Sequence, residues 1–117
     1  MPRTALQNID LLQGTLDLIV LKTLSWGPMH GFGIARWMQR TTDDALQVEE
    51  GSLYPALYRM ENRGWIKAQW KLTENGRRAK YYKLTAAGRR QLVAESESWA
   101  ALTSAIGKIM MATREPA

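Results

Sequence analysis

The sequence predicts a mainly α, α+β fold in which three short helices precede a small β-hairpin and one long helix. Three observations predict it. Apolar residues recur at helical spacing in three segments ahead of residue 66. The period then switches to two over residues 66–84, around an Asn75-Gly76 turn signal. Beyond Thr85 the helical period returns, with an apolar repeat of seven residues.

The first helix is expected over residues 14–27. Leu16, Ile19, Val20 and Leu24 form its apolar stripe, with Leu12 just ahead; Thr15 is the expected N-cap and Gly27-Pro28 the stop. The second covers 30–42, with Ile34, Ala35 and Met38 on one face. Gly31 and Gly33 are poor helix formers and belong in its first turn. The third lies within 48–66, with Leu53, Leu57 and Met60 inward. Pro55 fits a helix if Ser52 is the N-cap, because the third helical position needs no N–H donor. Gly64 is the expected left-handed stop.

In the hairpin, Ile66, Ala68, Trp70 and Leu72 alternate with Lys67, Gln69 and Lys71, as on a half-buried strand. Tyr82 and Leu84 share a face of the second strand, roughly 78–84. A three-residue loop, Glu74-Asn75-Gly76, sets Ile66 opposite Leu84 and Ala68 opposite Tyr82, and so keeps apolar residues together. A two-residue loop would set Leu84 against Lys67 instead. Gly76 then takes the left-handed position of a bulge.

Thr85 is the expected N-cap of the last helix. Leu92, Trp99 and Ile106 repeat every seven residues, with Leu102 and Ile109 three beyond the latter two. A helix of about 27 residues is roughly 40 Å long, too long for a core of this size to cover. The seam is therefore expected to meet another chain. Three helices, a hairpin and a long helix make a winged helix-turn-helix arrangement: a flexible arm over 1–10, a reader over 11–84, a dimerisation helix over 85–113 and a tail over 114–117.

The chain has 117 residues, room for one domain. It has no cysteine, which excludes a disulfide scaffold and cysteine-ligated metal and fits a reducing compartment. No apolar run reaches the roughly 18 residues of a membrane span, and no signal peptide is evident. A cytoplasmic protein is expected. Net charge is +5, and its distribution matters more than its size. Between Lys67 and Arg90 stand eight basic residues and one acid, Glu74; the rest of the chain holds eight basic and ten acidic residues.

The segments LLQGTLDLIVL, PMHGFGIA, EEGSLYPALYRMENRGWI and RRAKYYKLTAAGR resemble, in order over residues 11–90, the PadR family of bacterial transcriptional regulators. The single C-terminal helix resembles the family's short subclass. Phe32 stands where the family usually has tyrosine. The resemblance implies a homodimer on double-stranded operator DNA, usually a repressor, often responsive to small aromatic or hydrophobic compounds.

On that reading the third helix reads DNA. Its outer face offers Ser52, Tyr54, Pro55, Tyr58, Arg59 and Asn62. Ser52 and the helix N-terminus can hold a phosphate. Tyr54 and Tyr58 can meet DNA or pack on neighbouring helices, and Arg59 can reach guanine or phosphate. Arg77, Arg78 and Lys80 near the wing tip are expected on phosphates, the bland alternative being a solvated hairpin. Leu92, Ser96, Trp99, Leu102 and Ile106 form the seam, where Trp99 either packs the dimer or, with its symmetry mate, lines a space at the dimer centre for a planar aromatic guest. His30, the only histidine, is expected in a turn or cap, with no metal site and no cofactor. No nucleophile–acid constellation or phosphate-binding glycine loop points to an enzyme. The rival reading is a winged-helix protein-interaction module that has lost DNA binding.

Overall fold

The computed structural model describes residues 13–116; the expected arm over 1–10 and the contribution of Leu12 lie outside the described residues. Four helices and a three-stranded antiparallel sheet follow in the order α1 (Gln13–Leu24), β1 (Met29–His30), α2 (Gly31–Thr41), α3 (Glu50–Asn62), β2 (Ile66–Leu72), β3 (Arg78–Leu84) and α4 (Ala86–Met110). This is a winged helix with a long C-terminal helix.

The expected stripes face one core. Leu16, Val20 and Leu24 of α1, Ile34 and Met38 of α2, and Leu53, Leu57 and Met60 of α3 are buried together. Leu21 and Ala56 join them, and Ile66, Tyr82 and Leu84 bring in the sheet. Burying such a side chain contributes about 1.5–3 kcal/mol, and one shared core joins these three helices to the root of the hairpin.

The wing has the register that face-matching predicts: Ile66 pairs with Leu84 and Ala68 with Tyr82. Thr73 N–H bonds the Arg77 carbonyl at 2.7 Å and Gly76 N–H bonds the Thr73 carbonyl at 2.9 Å, closing the three-residue loop with Gly76 at φ +77°. The α3 stop is also as expected. Gly64, at φ +77°, donates to Glu61 and Trp65 donates to Met60, which satisfies two of the last helical carbonyls.

Several boundaries differ from the sequence reading. Thr15 lies inside α1, which ends at Leu24 rather than Gly27. α3 begins two residues before Ser52, with Glu49 as its cap and no side-chain cap bond. Pro55 is thus an interior proline, and the Gly51 carbonyl one turn earlier loses its usual amide partner. The wing sheet has three strands, because Met29 and His30 pair with Tyr82 and Tyr81. Trp70 and Leu72 keep the predicted face but lie beyond the core, exposed by 58% and 68%.

At the α3–wing–α4 joint, Thr85 caps α4: its hydroxyl accepts from Gly88 N–H at 3.0 Å and donates to the Gly64 carbonyl at 2.6 Å. α4 has 25 residues, close to the expected 27. Among the described residues, no helix is long and apolar enough to cross a membrane.

Candidate nucleic-acid interface

α3 presents two different faces. Leu53, Ala56, Leu57 and Met60 are buried, while Ser52, Tyr54, Pro55 and Tyr58 are exposed on the other side. Ser52 occupies the third helical position, and its own N–H already donates to the Glu49 carbonyl at 3.0 Å. What Ser52 offers outward is therefore its hydroxyl. Tyr54 packs on a neighbouring helix and is still partly exposed. Its ring lies against Gly31 of α2, where an added Cβ would sit 2.7 Å from the phenol oxygen, yet the side chain stays open to solvent.

Arg59 departs from the expected outer face. It turns toward α1 and bonds Asp17 through Nη2 at 2.6 Å. Asp17 is buried, and the Arg59 Nε is buried with no hydrogen-bond partner. Burial pushes the Asp17 carboxyl above its ordinary value of 3.8, against the hydrogen bond and charge of Arg59. Arg59 therefore ties α3 to α1 through Asp17.

The wing cations diverge in setting. Arg77 stands exposed at the end of the loop. The Arg78 guanidinium stacks 5.2 Å over the Trp70 ring. Lys80 lies 3.5 Å from Glu61 of α3 and 5.7 Å from the Tyr82 ring, so part of its charge is already matched. Lys67, Lys71 and Lys83 line a separate hollow on the sheet with Pro28, Gln69 and Tyr81. The basic run is thereby split between two places.

Arg77, Arg78 and Lys80 share a concave cleft of about 1110 Å³ with Tyr54 and with Phe32, Arg36 and Arg40 of α2. Five cations and one acid, Glu74, line it. The α2 residues were missed by the sequence reading. Their signal was nevertheless present: Arg36 and Arg40 are four apart, on the side of the helix away from Ile34 and Met38. The Arg36 guanidinium lies 5.5 Å over the Phe32 ring. His30 is the α2 cap, its Nδ1 accepting from Gly33 N–H at 2.9 Å. Among the described residues, no group of three or more His, Asp or Glu could hold a metal ion.

The α4 seam also divides. Leu92 packs against its own core rather than outward. Leu102 and Ile106 remain exposed, with Val93 and Ile109 also in the open. Ser96 and Trp99 line an apolar cleft of about 340 Å³ with Leu18, Ile19, Trp37 and Met38, roofed by α1 and α2.

Comparison with known proteins gives this arrangement a family. A family model described as the transcriptional regulator PadR-like family matches residues 20–94. A transcriptional regulator from Clostridium thermocellum is 30% identical, with a TM-score of 0.75, 82% of this chain and 93% of that one being covered. A PadR-like transcriptional regulator from Bacillus cereus is 27% identical, again with a TM-score of 0.75, over 86% of this chain and 96% of its own. An uncharacterized protein of Lysinibacillus sphaericus is 28% identical over 101 residues, 86% of this chain and 93% of its own. The matched region takes in α2, the outward face of α3, the whole wing and the start of α4. By this match and this fold, the chain belongs to the PadR-like family of transcriptional regulators.

Proposed function

We propose that the chain is a homodimeric, cytoplasmic repressor that binds double-stranded operator DNA and is released by a small aromatic or hydrophobic ligand. The cleft carries the first part of this reading: five cations gather beside the exposed face of α3. α3 enters the major groove with Ser52, Tyr54, Pro55 and Tyr58 toward the duplex. Arg77, Arg78 and Lys80, joined by Arg36 and Arg40, meet phosphates.

Salt dependence tests this. Each phosphate contact adds about 0.9 to the slope of log K against log salt, so replacing Arg77 and Arg78 by alanine should flatten it by up to about 2. The probe is a duplex from the region upstream of the protein's own gene. An unchanged slope would leave the rival reading, a winged-helix protein-interaction module without DNA binding. Against that rival stand the retained wing cations.

A second copy is proposed to cover the exposed Leu102 and Ile106 on α4, a helix about 37 Å long at 1.5 Å per residue. Reading helices of such a dimer meet half-sites about 34–36 Å apart. The effector is assigned to the cleft between α1, α2 and Trp99, whose volume of about 340 Å³ suits a small planar guest. A ligand there favours one setting of α4 and so one spacing of the readers. Titration with planar aromatic compounds should quench tryptophan fluorescence, and Trp99→Ala should weaken that binding about tenfold or more. Absence of quenching by every such compound would remove the effector from the proposal.

A further inference from the structure

β2 is an edge strand. The sheet order is β1, β3, β2, so β3 covers one side of it and, among the described residues, no strand covers the other. Thr73 N–H donates to the Arg77 carbonyl, and bonding alternates from there along an antiparallel ladder. Lys71, Gln69 and Lys67 therefore bond β3, while the N–H and C=O groups of Leu72, Trp70 and Ala68 point to the open edge. Such a row of backbone groups is a template for one more strand. The two faces beside it differ in chemistry. Trp70 and Leu72 are largely exposed, on the face that buries Ile66. Lys67, Gln69 and Lys71 lie on the other face, in a hollow of about 280 Å³ with Tyr81 and Lys83.

The hollow is unbalanced in charge. Lys67 stands directly opposite Lys83, a pairing of like charges that weakens a sheet. No acidic side chain lines the hollow, and among the described residues none of Lys67, Lys71 and Lys83 forms an ion pair. It lies on the face of the sheet away from the core, and it shares only Tyr81 with the cleft assigned to DNA. Lys67 and Lys71 are four residues apart on one strand, about 13 Å at 3.3 Å per residue. That span suits an extended chain with anionic groups on alternate residues better than one small anion. We propose that the open edge of β2 takes up an extended segment of a partner protein in which acidic and apolar residues alternate. The segment joins the sheet as a further strand. Its carboxylates meet Lys67 and Lys71, its apolar side chains meet Trp70 and Leu72, and its backbone bonds Ala68, Trp70 and Leu72. A second copy of β2 is a poor occupant: antiparallel pairing centred on Gln69 sets Lys67 against Lys71, and parallel in-register pairing stacks each lysine on its mate. The inference does not depend on the DNA reading.

The experiment takes the whole chain and, as probe, a capped peptide of alternating glutamate and valine, with binding read by calorimetry and by hydrogen exchange along β2. The peptide is expected to bind and to slow exchange of the Ala68, Trp70 and Leu72 amides, while those of Gln69 and Lys71, already in the ladder, change little. N-methylation of alternate peptide residues should abolish binding in one phase and spare it in the other, which a purely electrostatic contact would not do. Lys67→Glu with Lys71→Glu should weaken the acidic peptide about tenfold or more and admit a lysine–valine peptide in its place. Leu72→Ala carries the test if the charge-reversed chain fails to fold; it should weaken the acidic peptide while leaving the preference for acid over base intact. Failure of the acidic peptide to bind the native chain overturns the proposal, as does binding that survives N-methylation in both phases. Concentration-dependent protection of the same amides without peptide would place a second copy on the edge and overturn it too. Lys67→Gln with Lys71→Gln should leave the slope of log K against log salt on the upstream duplex unchanged. A slope flattened by about 2 would make these lysines phosphate contacts, and the proposal would fall.

Discussion

Replacing Asp17 by alanine is expected to cost about 3 kcal/mol of folding stability, because it strands the Arg59 guanidinium between α1 and α3. The Asp17 side chain is 3% exposed and that of Arg59 27%, so the partner left behind reaches water on one side only. Its Nε already lacks a hydrogen-bond partner. In a chain of this size such a loss corresponds to a fall of roughly 12–20 °C in Tm. Thermal unfolding at a fixed protein concentration is the measurement, since self-association would otherwise shift Tm. An unchanged Tm would mean that the pair does not hold α3.

The charge state of Asp17 sharpens this expectation. Its carboxyl is raised above 3.8 chiefly by burial, with Glu95 adding to the rise and Arg59 and Arg63 opposing it. The folded chain therefore keeps that proton more readily than the unfolded chain. The stability contributed by the group is fully present below the ordinary carboxylate range and is lost as pH rises through the raised value. Burying the ionised pair thus costs more than its attraction gives back. Asp17→Leu combined with Arg59→Met should accordingly restore native stability or exceed it, although either change alone is harmful. The same double variant should remove the contribution of Asp17 to the pH dependence of stability.

Gly88→Ala is expected to be the most damaging single methyl in the chain. A Cβ there would meet the Trp65 carbonyl oxygen at 2.0 Å, far inside contact distance. That carbonyl is held in place: it accepts from Thr85 N–H at 3.0 Å, and the Thr85 hydroxyl oxygen, whose proton goes chiefly to Gly64, lies 3.1 Å away. The first turn of α4 must move instead. The cost is expected at or above the upper end of the about 1–3 kcal/mol typical of overpacking. Operator affinity should fall too, at temperatures where the variant is still folded, because the displaced turn re-aims the whole of α4. A Tm equal to that of the native chain would refute the close contact.

What the sequence revealed depended on range. The α3 stripe and the wing register are properties of period and loop length, and both are local. β1 was invisible because two residues carry no period, and only pairing with Tyr81 and Tyr82 makes them a strand. Asp17 looked like one polar residue in an apolar helix; its partner lies 42 positions away. That contact also withdrew Arg59 from the outer face. Alternation assigned Trp70 and Leu72 to the correct face but cannot say where a core ends. Ser52 carried a cap signal that lost to Glu49, one turn earlier than the proline seemed to allow. Arg36 and Arg40 were legible as a pair, but the concentration of charge after Lys67 drew the reading away from them.

The Thr85 hydroxyl, bonded to Gly64 on one side and Gly88 on the other, leaves no slack between the end of α3 and the start of α4. In mechanical terms, α4 is a stiff lever clamped at the end of α3. A tilt of about 10° at the clamp carries the far end of a 37 Å arm through about 6 Å. That is close to two base-pair steps of about 3.4 Å each. In the proposed dimer a tilt of that size would suffice to put the two DNA-binding faces out of phase with their half-sites.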